Sequence, residues 1–180
     1  MRIQDFEKSV SNLEDIMSGQ ELERIVSVTM SDLCADIANR VIETGKGGDN
    51  RLFRPYSNVK YPAFWYFGRS RNASGEARVR SAAKSGKALS YRDFRVYNGL
   101  PVNFKNFSFT NEMWRGFGVK STNRRGPVIV STIGGKTPVS NERIDNMSRS
   151  EGRSIIQPTR AELDNAARVI ALSITQAAGL

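Results

Sequence analysis

Residues 21–44 read ELERIVSVTMSDLCADIANRVIET, and this stretch decides the fold. Leu22, Ile25, Val26, Thr29, Leu33, Ile37 and Val41 recur at the spacing of one helix face, so the segment reads as a long amphipathic helix. Gly45 opens the breaker run GKGGDN and should end it. Ser18 and Glu21 stand at the spacing of a capping box ahead of the stripe. Upstream, residues 5–17 form a first helix with Phe6, Val10, Leu13 and Met17 on one face. Cys34 lies beside the main stripe and reads as a buried, inert thiol.

Outward from these helices the pattern changes. Residues 45–90 are rich in Gly, Ser, Arg and Lys, with one aromatic patch, Tyr61-Pro-Ala-Phe64-Trp65-Tyr66-Phe67. A connection this long is usually functional or mobile. It reads as an extended basic arm, with the patch either an anchoring knot or a core strand. Ser90-Tyr-Arg-Asp93 is a capping box, which predicts a short helix over 91–98 stopped by Gly99 and Pro101. Strand signals follow: 102–110 with Phe104, Phe107 and Phe109, then 113–121 with Trp114, Phe117 and Val119. The β-branched run PVIVSTI at 127–133 closes the set at Gly134-Gly135. Residues 141–152 read as a short polar helix. Thr159-Arg-Ala-Glu162 is a full capping box, and Leu163, Ala166, Ala167, Ile170, Ile174 and Ala177 then repeat at helical spacing. The fold class expected is α+β: long N-terminal helices, a small antiparallel β-sheet and a C-terminal helix, in a single domain over 1–180 with an arm or loop protruding at about 45–90.

Charge is concentrated. The chain carries +9 overall, and residues 51–95 hold eleven cations against only Glu76 and Asp93. The remaining residues hold sixteen charges of each sign. A localised basic segment points to a polyanion or an acidic protein surface, against the plainer reading of a solvated loop. The candidate partner-facing cations are Arg51, Arg54, Lys60, Arg69, Arg71, Arg78, Arg80, Lys84 and Lys87. The arm interleaves these cations with aromatics, a mixture that suits phosphate binding and base stacking. Tyr61, Phe64, Trp65, Tyr66, Phe67, Met113, Trp114, Phe117, Ile170 and Ile174 are candidates for core or subunit interface.

Several chemistries are disfavoured. The chain has one cysteine and no histidine. That removes zinc-type clusters, an internal disulfide and every Ser-His or Cys-His nucleophile. Gly116-Phe-Gly-Val-Lys-Ser-Thr122 lacks the glycine that a phosphate loop needs before its lysine. Ser81-Ala-Ala-Lys84 has the Ser-x-x-Lys spacing without its partner motifs. Glu142, Asp145 and Glu151 read as a solvated helix face and not as magnesium ligands. The expectation is of no enzyme and no cofactor. The sequence has no long apolar run, and its first residues, MRIQDFEKSV, do not resemble a signal peptide, so a cytoplasmic protein is expected.

Three segments resemble neck and tail-completion proteins of tailed phages, the head–tail joining or phage morphogenesis family, in the version carried by phages of Bacteroidota. They are Ser90-Tyr-Arg-Asp-Phe-Arg-Val-Tyr-Asn-Gly-Leu100, Asn106-Phe-Ser-Phe-Thr-Asn-Glu-Met-Trp-Arg-Gly-Phe-Gly-Val119, and Asn146-Met-Ser-Arg-Ser-Glu-Gly-Arg-Ser-Ile-Ile-Gln-Pro-Thr159 with the helix after it. The likeness covers about the last half of the chain. Asn111 stands where the family has glycine, and Ser154-Ile155 where it has Pro-Phe. The resemblance implies a virion protein, present in the host cytoplasm during assembly, that forms a ring joining portal to tail around the DNA channel. Its implied partners are copies of itself, on the order of six or twelve in heterologous contact, the portal or an adjacent connector, and the tail tube protein. Contact with packaged DNA, without a membrane, completes the set. The alternative reading is a non-specific DNA-binding accessory protein.

Overall fold

The computed structural model describes residues 3–108, 110–126 and 128–179, with side chains from residue 8 onward. Phe6 and Phe109, both read above as apolar positions, lie outside what is described at side-chain level. The fold is α+β, with long helices at the N-terminus, small antiparallel sheets and a helix at the C-terminus. No helix among the described residues is long and apolar enough to cross a membrane.

Two helices open the chain, α1 (Ile3–Ser18) and α2 (Gln20–Thr44), and α7 (Arg160–Ala178) packs against both. The stripe on α2 is buried as its spacing requires: Leu22, Ile25, Thr29, Leu33, Ile37 and Val41, with Cys34 beside them. Gly45 ends the helix in the left-handed region (φ 65), where a Cβ would strike the ring of Phe104. The capping box expected at Ser18 is not made. Helix α1 runs through Ser18, whose hydroxyl donates back to the Asp15 carbonyl at 3.3 Å, and Glu21 pairs with Arg24 instead. The face of α1 is also rotated from the one expected: Ser9 and Ile16 are buried while Val10 and Met17 are exposed. The C-terminus of α7 causes this, because Ser9 and Asn12 reach the Gly179 and Ala178 carbonyls.

Strands β3 (Phe117–Arg125) and β4 (Val128–Gly135) form an antiparallel hairpin laid on α2, with a bulge between Val119 and Ser121. Arg124 on this hairpin donates to the Met17 and Ser18 carbonyls at the end of α1, the latter at 2.9 Å, and to the Gly19 carbonyl just after it at 3.2 Å. Those acceptors have no partner within the helix, and the guanidinium also meets the negative end of its dipole. Residues 102–108 are not the strand expected. They form an irregular loop, held by side-chain bonds described below, and a helical turn, α5 (Glu112–Arg115), precedes β3. Helix α6 (Pro138–Glu151) covers β4 and α5. The main core gathers Leu33, Cys34, Ile37, Val41, Phe53, Met113, Trp114, Phe117, Ile144, Ile155 and Ala166.

The expected extended arm is corrected. Residues 45–90 contain a short strand, β1 (Lys60–Pro62), a 3-10 turn (Ala63–Tyr66), helix α3 (Ala73–Lys84) and strand β2 (Ala88–Ser90), which runs into α4 (Tyr91–Tyr97). Together they bury a second cluster, Ala63, Tyr66, Val79, Ala82, Leu89 and Phe94. Helix α3 forms without an apolar stripe because it buries small residues. Its Gly75 lies so close to α4 that a Cβ there would meet Asn98 Oδ1 at 2.5 Å.

Candidate functional site

The smaller lobe, residues 60–97, carries the basic segment. Asn72 caps α3 by accepting the Gly75 N–H at 2.7 Å, and the Ser90–Asp93 capping box starts α4 as its spacing predicts. Tyr61 pairs with Leu89 across the β1–β2 ladder, and Tyr66 stacks on Phe94 with ring centroids 4.7 Å apart. This small core consumes only part of the aromatic patch. Tyr66 is buried, whereas Phe64 is 59% exposed and Trp65 54%, and Tyr61 and Phe67 are also exposed. The patch is therefore a turn with one anchoring ring, not a core strand. Tyr61 stacks on Trp65 at 5.0 Å, and Arg80 lies 4.9 Å from the centre of the Phe67 ring.

All nine candidate cations, Arg51, Arg54, Lys60, Arg69, Arg71, Arg78, Arg80, Lys84 and Lys87, are exposed. Seven of them belong to this lobe, while Arg51 and Arg54 lie on the segment before it. The lobe has two carboxylates, and both are committed. Glu76 accepts the Gly68 N–H and pairs with Arg80 at 2.9 Å, and these contacts, led by the Gly68 N–H, hold its carboxyl below the ordinary range. Asp93 accepts the Ser90 N–H and hydroxyl, which lowers it likewise. Among the described residues, no carboxylate lies within ion-pair distance of Arg69, Arg71, Arg78, Lys84 or Lys87.

A polar junction joins this lobe to the rest, and sequence reasoning did not anticipate it. Arg95, on α4, is 1% exposed. Its guanidinium donates to the Pro101 carbonyl at 3.2 Å, the Ser108 carbonyl at 3.0 Å and Asn106 Oδ1 at 3.1 Å, and lies 4.2 Å from the Tyr56 ring centre. Asn106 is the hub. Its Oδ1 also accepts the Tyr56 hydroxyl at 2.9 Å and the Ser108 N–H at 3.1 Å, and its carbonyl accepts the Trp114 indole N–H at 3.3 Å. Burial pushes the Tyr56 hydroxyl up. Nearby, buried Glu151 pairs with Lys105 at 2.6 Å and accepts the Arg54 N–H at 2.9 Å. The junction floors a largely apolar cavity of about 490 Å³ walled by Tyr91, Phe107, Met113 and Met147, with the Glu112–Arg143 ion pair at its edge. Phe107 (φ 53) and Asn111 (φ 59) sit in the left-handed region on this wall, a conformation that is costly for a bulky residue and tolerated by asparagine.

The other predicted positions fall elsewhere. Met113, Trp114 and Phe117 are in the main core. Ile170 and Ile174 are half-buried on α7, whereas Leu163, Val169 and Leu172 on the same helix are exposed. Glu142 and Asp145 are exposed on α6, and Glu151 turns inward to Lys105. Gly116–Thr122 enters strand β3. A single Gly or Ser-rich stretch hid α3, and a buried arginine such as Arg95 looks like any surface arginine when only its neighbours in the chain are known.

No protein-family model matches the chain, and neither a curated protein nor a solved structure matches it.

Proposed function

We propose that the chain is a structural subunit of a tailed-phage neck or tail-completion ring, joining portal to tail around the DNA channel. The observation that carries this reading is the convergence of the three resembling segments. Arg95 from the first segment bonds Asn106 and Ser108 from the second, and Asn106 bonds Trp114. Glu151 from the third pairs with Lys105 beside them. Residues as far apart in the chain as Lys105 and Glu151 thus meet at one joint between the two lobes. The departure at Asn111 is compatible with it, since asparagine takes the left-handed turn that glycine would. Ile155, in place of the family's aromatic, is fully buried.

Subunits of a heterologous ring present different surfaces to their two neighbours. Exposed apolar residues on two separate parts of this chain suit that role: Val28, Leu163 and Leu172 on the helices, and Phe64 and Trp65 on the basic lobe. Interfaces of this kind bury aromatics and aliphatics at their centres. The experiment is removal of the gene from the phage that encodes it. DNA-filled heads and separate tails should accumulate, and supplying the chain in trans should join them. Normal tailed particles without it would end this reading.

A further inference from the structure

We infer that the 60–97 lobe binds single-stranded nucleic acid without regard to sequence, stacking bases on Phe64 and Trp65 and holding phosphates with Arg69, Arg80 and Lys84. The inference stands apart from the virion reading, and either can fail alone.

Three observations place rings and cations together. Arg80 lies over the Phe67 ring, which brings α3 against the aromatic turn, and Lys84 follows one helical turn later. The Arg69 N–H closes the same turn on the Tyr66 carbonyl at 3.2 Å. Phe64 and Trp65, on the same turn as Phe67, are more than half exposed, and Tyr61 stacks on Trp65. Flat apolar rings among cations match a strand whose bases are free to stack; a duplex keeps its base faces buried.

The charge of the whole chain supports the same orientation. Residues 1–49 carry five cations and ten carboxylates, opposite in sign to the +9 of residues 51–95. A polyanion is therefore repelled by α1 and α2 and drawn to the lobe. Glu76 engages Arg80 and Asp93 engages Ser90, so Arg69 and Lys84 have no carboxylate to displace, whereas Arg80 exchanges Glu76 for phosphate.

The test uses the full chain and an oligothymidylate of about 15 nucleotides. The chain has two tryptophans, and Trp114 is buried, so quenching on titration reads Trp65. The expected result is saturable quenching, with log K falling against log salt at a slope of about −2, as three single-strand phosphate contacts require. Trp65→Ala should weaken binding roughly tenfold or more, read by oligonucleotide anisotropy. Arg69→Glu with Lys84→Glu should abolish it, with circular dichroism unchanged because both side chains are exposed. Equal affinity for a duplex of the same length together with no effect of Trp65→Ala would overturn the inference. So would salt-sensitive self-association without oligonucleotide binding, which would assign the basic face to the acidic helices of a second copy.

Discussion

Replacing Arg95 by methionine tests whether the buried junction holds the two lobes together. Methionine restores most of the volume but none of the donors. Asn106 Oδ1 would keep the Tyr56 hydroxyl and the Ser108 N–H, so its loss is partial. The Pro101 carbonyl, on an exposed residue, would turn to water, but the buried Ser108 carbonyl would lose its guanidinium donor. Each buried acceptor left unsatisfied costs about 1–3 kcal/mol. Loss of the cation–ring contact with Tyr56 adds about 1 kcal/mol. The expected destabilisation is about 2–4 kcal/mol, a large fraction of the roughly 5–15 kcal/mol available to a typical domain. Arg95→Lys should recover only part of this, because one ammonium cannot span three oxygens set in a fork. Urea unfolding followed by Trp114 emission, in a Trp65→Phe background, is the suitable assay, since the Trp114 indole reports its bond to Asn106. A methionine variant within about 1 kcal/mol of its parent would refute the account of the junction.

Thr159→Ala removes the cap of α7, which accepts the Glu162 N–H at 3.1 Å, and should cost about 1 kcal/mol in the same urea assay. Glu162 is the pH-sensitive member of that end. Burial raises its carboxyl, but the Arg40 hydrogen bonds and the Thr159 N–H outweigh burial and leave it below its ordinary value. A lowered folded value means that its stabilisation is complete above the unfolded value, about 4.3, and is lost as pH falls through the folded one. Glu162→Gln should therefore flatten the acid limb of a stability–pH curve while lowering stability at pH 7. Burial pushes the Cys34 thiol up to about 11, so a disulfide reagent at pH 8 should label it only at the rate of unfolding.

The elements legible in the sequence are those set by local rules. The α2 stripe, the Gly45 stop and the Ser90 and Thr159 capping boxes each depend on residues within one or two turns, and each stands where its spacing puts it. What escaped depends on distant contacts. Helix α3 buries Gly75, Val79 and Ala82 against α4 and so leaves no apolar stripe to read, though Asn72 ahead of Glu76 was an available start signal. Residues 102–108 alternate like a strand but have no strand to pair with, and Tyr56 and Arg95 claim their polar atoms instead. The face of α1 was misjudged by its own periodicity because α7, over 150 residues later, chooses which side it covers. Seven of the nine candidate cations fall on one folded lobe and two precede it, and only the fold shows that the lobe's two carboxylates are engaged.

The place proposed for this chain is the joint between head and tail of a virus particle. Quantitative peptide mass spectrometry of gradient-purified, tailed particles tests it most directly. The chain should be present at a fixed ratio to portal protein, on the order of one copy or half a copy per portal subunit. Particles that infect normally and contain none of it would contradict the claim.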